Sequence, residues 1–342
     1  MRSVVYSRTG SPSVLELVER EPQQPAPGEV RVRVVVSGVN PTDWKSRKGS
    51  QDGGRPSFPE VVPNQDGAGV VDALGEGIEG LHVGDRVWLY LSGHERPTGT
   101  AQEYTNLPAA RVVPLPTGIS FDVGASLGVP AMTAHRALTV SEDGPDRLHP
   151  GALDGKVVLV AGGAGAVGHA AIQLARWSGA TVISTISSDE KAELATRAGA
   201  QHVVNYRTED AAAAIAEIAP NGVDLVVEVA ISANAALNLA VIRPRASVAI
   251  YADDRGDSFV LDVRPNMVKN TRYQFVLLYT VGESALLAAV EDVTRALVDL
   301  ALPVGDEAGL PLHRFPLEQT AAAHQAVEDA VVGKVLIDVS AE

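Results

Sequence analysis

Residues 157–168 read VVLVAGGAGAVG, a run of mostly β-branched apolar residues that breaks into a turn of glycine and alanine. The spacing of Gly163, Gly165 and Gly168 is that of a dinucleotide-binding turn. In such a turn the first glycine permits a tight bend, the second lets backbone approach a pyrophosphate, and the third lets helix pack on strand. Because residues 157–160 are predicted to be a buried strand and 169–178 a helix, the stretch predicts an NAD(H) or NADP(H) site.

The composition is that of an acidic globular protein. At 342 residues the chain exceeds the length over which one hydrophobic core usually grows, so we expect two domains. A net charge of −14 argues against nonspecific binding to nucleic acid or to anionic membranes. No apolar run is long enough to span a bilayer, and residues 1–10 lack the apolar core of a signal peptide, so we expect a cytoplasmic protein without a membrane partner.

The sequence contains no cysteine. Disulfides, thiolate catalysis and cysteine-ligated zinc are thereby excluded.

The chain has two parts with different sequence patterns. The first third alternates with the period of strands, most clearly in 29–36 (EVRVRVVV), and its glycine and proline turns predict a compact, barrel-like β domain. Further strands are expected at 70–74, 86–91 and 101–107.

From about residue 121 helices and strands alternate, which predicts right-handed crossovers and a doubly wound parallel sheet. The expected strands are 157–160, 181–184, 202–205, 225–229 and 247–251. The expected helices between them are 169–178, 189–198, 210–219 and 234–239. After a helix at 283–300, the tail (helix 317–330, strand 334–339) is expected to return to the first domain.

The end of the strand expected at 181–184 bears on the choice between NAD(H) and NADP(H). NAD-selective folds place an acid there for the ribose 2′-OH, whereas this chain has the hydroxyl-rich run 184–188 (STISS). Asp189 and Glu190 follow, but Ser187 and Glu190 have the spacing of a capping box, so a helix start explains both acids. The side chain of Lys191 is expected to lean back toward that helix N-terminus, which favours the 2′-phosphate of NADPH.

The chain resembles the medium-chain dehydrogenase/reductase superfamily, and within it the zinc-independent, zeta-crystallin-like quinone oxidoreductases. The resemblance covers nearly the whole chain and is carried by short motifs in the same order: GVNPTD (38–43), DGAGVV (66–71), VGDRV (83–87), AMTA (131–134), AGGAGAVG (161–168), SDEK (188–191), VNYR (204–207) and GKVL (333–336).

The resemblance implies an α/β protein with a GroES-like β-barrel catalytic domain (1–125 and 276–342) and a Rossmann NADP-binding domain (126–275). It also implies NADPH as cofactor and a quinone, or the C=C bond of an α,β-unsaturated carbonyl, as acceptor. By position, the residues expected around the cofactor are Thr133, Gly163, Gly165, Ala166, Val167, Ser187, Lys191 and Tyr206.

The expected catalytic residues are Asn40, which matches the family's active-site asparagine, and Lys45. Hydride addition to a conjugated C=C bond moves charge onto the carbonyl oxygen, so the site needs a hydrogen-bond donor. For Asn40 the alternative is a turn that closes a strand, and for Lys45 a surface or phosphate-binding lysine. Lys45 stands where many quinone reductases have tyrosine, and NPTDWK looks more like enone and alkenal reductases.

Zinc is not expected. The zinc-dependent branch holds its metal with a cysteine and a Gly-His-Glu motif, and this chain has Pro63-Asn64-Gln65-Asp66 at that place. Gly93-His94-Glu95 lies later, in a polar loop, and we interpret it as a chance match.

Other functions stay open. The protein could be an NADPH-binding sensor or structural protein with little turnover, or an enoyl-thioester reductase of a biosynthetic pathway. We expect a homodimer, in which an apolar strand near 274–279 (QFVLLY) extends the nucleotide-domain sheet across a two-fold axis.

Overall fold

The computed structural model describes residues 1–49, 55–252 and 258–341. It divides into two compact units, Met1–Val129 with Pro311–Glu342, and Pro130–Leu310. Along the chain the first unit ends at Val129 and resumes at Pro311, where the sequence analysis placed the two domain boundaries at 125 and 276. Two side chains of the second unit hold residues before Pro311: His169 hydrogen-bonds the Ala308 carbonyl (2.8 Å) and Gln173 donates to the Pro303 carbonyl (2.9 Å).

The first unit is mainly β-structure. Its N-terminal segment contains β1 (Arg2–Val5), β2 (Glu16–Glu19), β3 (Glu29–Val39), α1 (Pro41–Lys48), β4 (Asp66–Leu74), β5 (Arg86–Leu89), β6 (Tyr104–Pro108), β7 (Val112–Pro114), α2 (Phe121–Gly124) and the start of α3 (Gly128–Leu138).

The second unit alternates strands and helices after α3. Its elements are β8 (Val157–Ala161), α4 (Ala166–Trp177), β9 (Thr181–Ile186), α5 (Asp189–Arg197), β10 (His202–Asn205), α6 (Ala211–Ile218), β11 (Val223–Glu228), α7 (Ile231–Val241), β12 (Ile242–Ile250), α8 (Val263–Lys269), β13 (Arg272–Phe275) and α9 (Glu283–Val298). The chain then returns to the first unit with β14 (Leu312–Pro316), α10 (Thr320–Glu328) and β15 (Lys334–Asp338).

The main sheet of the first unit is built around the long strand β3. The strand order is β14-β15-β3-β4-β5-β7, and β6 also pairs with β3; apart from the parallel pair β14-β15 the sheet is antiparallel. The alternation in EVRVRVVV points Val30, Val32 and Val34 inward, and all three are fully buried. The prediction of a β-rich first domain to which the tail returns is confirmed.

The sheet of the second unit is parallel, in the order β10-β9-β8-β11-β12-β13. With β8 as the first strand this is the order 3-2-1-4-5-6 of a Rossmann fold. Strands buried on both faces explain the continuous apolar runs in the sequence, such as Val158, Leu159 and Val160, each at most 1% exposed. The α/β prediction for this part is confirmed.

Two elements differ from expectation. The Asn40-Pro41 turn opens the helix α1, because Asn at the N-cap, Pro at the first helical position and Asp43 two residues further on are all helix-start signals. The apolar strand expected at 274–279 is instead β13, Arg272–Phe275, and Leu278–Thr280 form a 3₁₀ turn. Within the described residues, no helix is both long and apolar enough to cross a membrane.

A buried carboxylate ties α9 into the second unit. Asp292 is 5% exposed and accepts hydrogen bonds from His135 Nε2 (2.7 Å), the Arg147 guanidinium (2.6 and 2.9 Å) and the Leu148 N–H (2.7 Å). Burial alone would raise the pKa of Asp292, but these hydrogen bonds outweigh it and lower the pKa to about 2.

We expect Asp292→Asn to destabilise the protein by about 2 kcal/mol at pH 7. A pKa lowered by folding makes the carboxylate stabilising above its unfolded-state pKa near 4, and this contribution is lost as the pH falls toward 2. Urea unfolding at several pH values should therefore show the variant and the wild type converging between pH 4 and pH 2. Glu291→Gln, at an exposed neighbour on α9, is the control, and an undiminished gap at low pH would contradict the assignment.

Candidate functional site

The glycine-rich turn joins β8 to α4 at the carboxyl edge of the parallel sheet. Because β8 lies between β9 and β11, the strand order reverses here, which is where such sheets bind ligands. Gly162 has a φ of 70°, and its N–H donates to the Thr185 carbonyl (3.0 Å). The tight bend expected at Gly163 is therefore made by Gly162, since only this glycine of the turn has left-handed backbone.

Gly163, Gly165 and Gly168, whose spacing indicated the dinucleotide-binding turn, have different surroundings. A Cβ on Gly163 would lie 2.2 Å from Ser184 Oγ, so this residue is small because β9 passes beside it. A Cβ on Gly168 would lie 2.4 Å from the Gly162 carbonyl oxygen, which agrees with close packing of helix on turn. A Cβ on Gly165 would meet its nearest neighbour at 3.5 Å, so packing alone does not require glycine there.

The start of α4 fits a pyrophosphate. Gly165 is the N-cap and brings no side chain to accept from the first turn of the helix. The backbone N–H groups of Ala166 and Val167 are in that turn, where a helix has no internal acceptors, and the helix dipole favours an anion. The start of α4 thus suits the phosphates of a dinucleotide, and Gly165, Ala166 and Val167 would hold them.

A second group of predicted residues lies where β9 and β10 end. Lys191 Nζ donates to Ser187 Oγ (3.2 Å), so the lysine leans back over the start of α5 as predicted. Tyr206 follows β10, its N–H donates to the Ile186 carbonyl (3.2 Å), and its side chain is 51% exposed. The N-cap of α5 is Ser188, whose Oγ accepts from the Lys191 N–H, so the capping box expected to start at Ser187 is wrong by one residue.

Two further polar side chains of the second unit are buried. Thr133 is buried in α3 at 5% exposure. Glu228, at the end of β11, is fully buried and accepts from the Ala230 N–H (2.6 Å) and from the amides of Asn234 (2.9 Å) and Asn238 (2.6 Å). Its carboxylate therefore fixes the loop into α7. The sequence analysis did not single it out, although an acid within an apolar strand is a signal for such a role.

In the first unit the ends of three neighbouring strands bring polar residues together. Asn40 follows β3, Asp66 begins β4 and Lys334 begins β15. The strands pair in the order β15-β3-β4, with Gly38 opposite both Asp66 and Leu336. The three side chains consequently meet at one edge of the sheet, and with Asp43 of α1 they form what we call the Asp66 cluster.

The Asp66 cluster is a buried hydrogen-bonded network. Lys334 Nζ donates to Asn40 Oδ1 (2.7 Å) and lies 3.8 Å from Asp66 Oδ2, and Asn40 Nδ2 donates to Asp66 Oδ2 (2.7 Å). Asp66 also accepts the Val129 N–H (2.9 and 3.0 Å), and Asp43 accepts the Asn40 N–H (2.7 Å). Asp66 and Lys334 are at most 1% exposed.

Burial dominates the electrostatics of this cluster. It raises the pKa of Asp66, an effect opposed by the Lys334 ammonium, and it lowers the pKa of Lys334. Burial, together with the nearby Asp66 charge, raises the pKa of Asp43 to about 8. Two carboxyl groups thus share one buried ammonium, and the cluster depends on Lys334 for its charge balance.

The two predicted catalytic residues have different surroundings. Asn40 is 2% exposed, and its amide joins Lys334 to Asp66, so its oxygen and its nitrogen both have partners within the cluster. Lys45 is exposed on α1. Their catalytic roles stay predictions.

The first unit also contains a cavity of about 690 Å³ next to α1. It is lined by apolar and polar side chains, among them Tyr6, Asp43, Phe58, Gln65 and His94. Neither Asn40 nor Lys45 is among the described residues that line it. The volume is in the range of small-molecule sites.

No metal site is apparent among the described residues: no three His, Asp or Glu side chains gather where they could hold an ion. His94, from the Gly-His-Glu match, lies at the cavity in a turn whose Leu91 and His94 carbonyls accept from Arg111. The absence of zinc stays a prediction.

Comparisons with known proteins cover both units. Residues 26–117 match the alcohol dehydrogenase GroES-like domain family, and residues 166–295 match the zinc-binding dehydrogenase family. A quinone oxidoreductase of Lama guanicoe is 30% identical over 347 residues, which cover 98% of this chain and 97% of the relative. A 2-haloacrylate reductase of Burkholderia sp is 29% identical over 331 residues, covering 95% and 94%.

Solved structures agree with these sequence relatives. The Escherichia coli quinone oxidoreductase in complex with NADPH superposes with a TM-score of 0.80 at 25% identity, covering 99% of this chain and 100% of that one. The chain therefore belongs to the medium-chain dehydrogenase/reductase superfamily, among the relatives of the quinone oxidoreductases.

Proposed function

We propose that this protein is an NADPH-dependent reductase that transfers a hydride to a quinone or to the C=C bond of an α,β-unsaturated carbonyl, without zinc. The observation that carries the proposal is the end of β9, where Lys191 is hydrogen-bonded to Ser187 and the strand itself ends without an acid. A lysine ammonium and a hydroxyl suit a 2′-phosphate, which a carboxylate in the same place would repel.

The relatives support the acceptor class. They include quinone oxidoreductases and a 2-haloacrylate reductase, whose substrate name describes a conjugated C=C bond. In this chain the glycine turn with Ala166 and Val167 would hold the pyrophosphate, and Ser187, Lys191 and Tyr206 the 2′-phosphate, with Thr133 near the nicotinamide. Bound NADPH supplies the hydride.

The activity is tested by NADPH oxidation with a panel of enones and quinones. Turnover with at least one of these acceptors, and little with saturated ketones, is the expected result. Tight NADPH binding without turnover of any acceptor would overturn the enzyme proposal and favour an NADPH-binding sensor or structural protein. Turnover restricted to enoyl thioesters would favour an enoyl-thioester reductase of a biosynthetic pathway.

We expect Lys191→Ala to weaken NADPH binding by about 1–3 kcal/mol while leaving NADH binding nearly unchanged, because only NADPH offers the ammonium a phosphate. Titrations of cofactor fluorescence measure both affinities. Lys48→Ala, an exposed lysine of the first unit, is the control and is expected to change neither. Equal losses for the two cofactors would remove Lys191 from the phosphate site.

The assembly is a further part of the proposal. We propose a homodimer, supported by β13, the last strand in the order of the second sheet, and by the exposed Phe275 (62%) and Leu277 (58%) beside it. An edge strand of this kind is protected when a second copy pairs with it. A solution mass of about twice 35.7 kDa is expected from light scattering, and a single-chain mass would contradict it.

A further inference from the structure

The side chain of Gln65 has a fixed orientation. Its Oε1 accepts the Gly93 N–H (3.1 Å), and because a backbone N–H can only donate, the amide oxygen must face Gly93. The Nε2 group is the other end of the same planar amide, and a Cβ on Gly93 would lie 3.3 Å from it. Among residues 1–49, 55–252 and 258–341, no acceptor takes a hydrogen bond from it.

The backbone of Gln65 is anchored as well. Its N–H donates to Asp43 Oδ1 (3.1 Å), and its carbonyl accepts from the Ser92 N–H (3.0 Å). With the Gly93 contact, three hydrogen bonds hold the residue between α1 and the 92–93 turn. A donor held in this way needs no reorganisation when a negative charge develops in front of it.

Gln65 lines the cavity of about 690 Å³, together with Phe58, Val61 and Val62. The lining also includes charged side chains such as Asp43, Arg55 and Arg96, so the apolar residues form one part of the wall. That part and the Gln65 amide together suit a conjugated carbonyl compound, because its carbon skeleton is apolar and its oxygen accepts hydrogen bonds.

We propose that Gln65 Nε2 donates to the carbonyl oxygen of the substrate and stabilises the enolate formed during reduction; this inference rests on the proposed reductase function. Hydride addition to the β-carbon pushes the π electrons of the C=C bond through the α-carbon onto the carbonyl oxygen. A proton from solvent then adds to the α-carbon and restores the carbonyl. The amide changes neither bonding nor charge and acts only by its hydrogen bond.

Asn40 is less suited to this role. Its amide is used within the Asp66 cluster, where Lys334 and Asp66 hold its two ends. Tyr6 is the competing donor, since it lines the same cavity and burial raises its pKa to about 12, which keeps its hydroxyl protonated at neutral pH. The experiment must therefore separate Gln65 from Tyr6.

The test compares Gln65→Glu, Gln65→Leu and Tyr6→Phe. Glutamate retains an acceptor for the Gly93 N–H but places an oxygen anion where the donor was, and leucine removes the donor without adding charge. With an enone at saturating NADPH, kcat is expected to fall about 100-fold in both Gln65 variants, with less than a fivefold change in KM, since the hydrogen bond strengthens toward the transition state. The NADPH affinity should stay within twofold.

Gln325→Glu, the same substitution at an exposed position of α10, is the control and should leave kcat unchanged. A second measurement needs no turnover. It titrates the protein with 4-nitrophenolate, whose oxygen carries part of a delocalised negative charge as an enolate oxygen does, and detects binding by the change in absorbance of this probe. The wild type should bind this probe at least tenfold more tightly than Gln65→Glu.

Gln65 variants that retain kcat and probe affinity within threefold would overturn the inference, and a loss confined to Tyr6→Phe would assign the role to Tyr6. A wild type without turnover would contradict the reductase function, whereas the probe titration would still report on Gln65 as an oxyanion donor.

Discussion

Lys334→Met is expected to lower the free energy of unfolding by about 3–5 kcal/mol, because it leaves a buried carboxylate without its cation. Lys334 is 1% exposed, and its ammonium lies 3.8 Å from Asp66 Oδ2 and 2.7 Å from Asn40 Oδ1. Methionine has a similar volume and an apolar end, so the loss reports on charge and hydrogen bonding more than on packing.

Urea unfolding at pH 7 measures this effect. Lys48→Met, the same change at a lysine whose side chain is 55% exposed and paired with Glu328, should cost less than about 1 kcal/mol. Adding Asp66→Asn to Lys334→Met removes the uncompensated carboxylate and should restore part of the stability. A loss below about 1 kcal/mol for Lys334→Met alone would show that the cluster does not need its ammonium.

Gly168→Ala is expected to cost about 1–3 kcal/mol of stability and to weaken NADPH binding at least tenfold. Its new Cβ would lie 2.4 Å from the Gly162 carbonyl oxygen and 2.9 Å from Gly163 Cα, which are both backbone atoms. Helix α4 must then move away from the turn, and the N–H groups of Ala166 and Val167 move with it.

The control for this variant lies three residues earlier. The new Cβ of Gly165→Ala would lie 3.5 Å from its nearest neighbour, the Gly162 carbonyl oxygen. The free energy of unfolding should therefore fall by less than about 1 kcal/mol. If Gly165 lets backbone approach the pyrophosphate, this variant weakens NADPH binding while the protein remains nearly as stable. Thermal unfolding and cofactor titration separate the two effects. Unchanged NADPH affinity in both variants would place the phosphates elsewhere.

Local sequence patterns predicted helices and strands well where a single sequence signal marked the position. The strand at 202–205 and the start of the helix at 189 are as expected, because apolar β-branched residues and capping residues act over a few positions. Two of the errors occurred where neighbouring residues carry the same signal. Ser187 and Ser188 are both suitable N-caps, and Gly162 and Gly163 are both suitable for a bend; backbone geometry selected Ser188 and Gly162.

The amino-acid sequence by itself determined the order of the two folds, the dinucleotide turn and the direction in which Lys191 leans, since each depends on residues close together in the chain. Tertiary structure decided the partners of Asn40 and Gln65. Asn40 meets Asp66 and Lys334 across 26 and 294 residues, and Gln65 meets Gly93 across 28. Pairing of strands distant in sequence creates these contacts, and no local periodicity encodes them. The same folding gives the Asn40 amide a partner at both ends and leaves Gln65, which lines the cavity, with a side-chain partner at its oxygen only among the described residues.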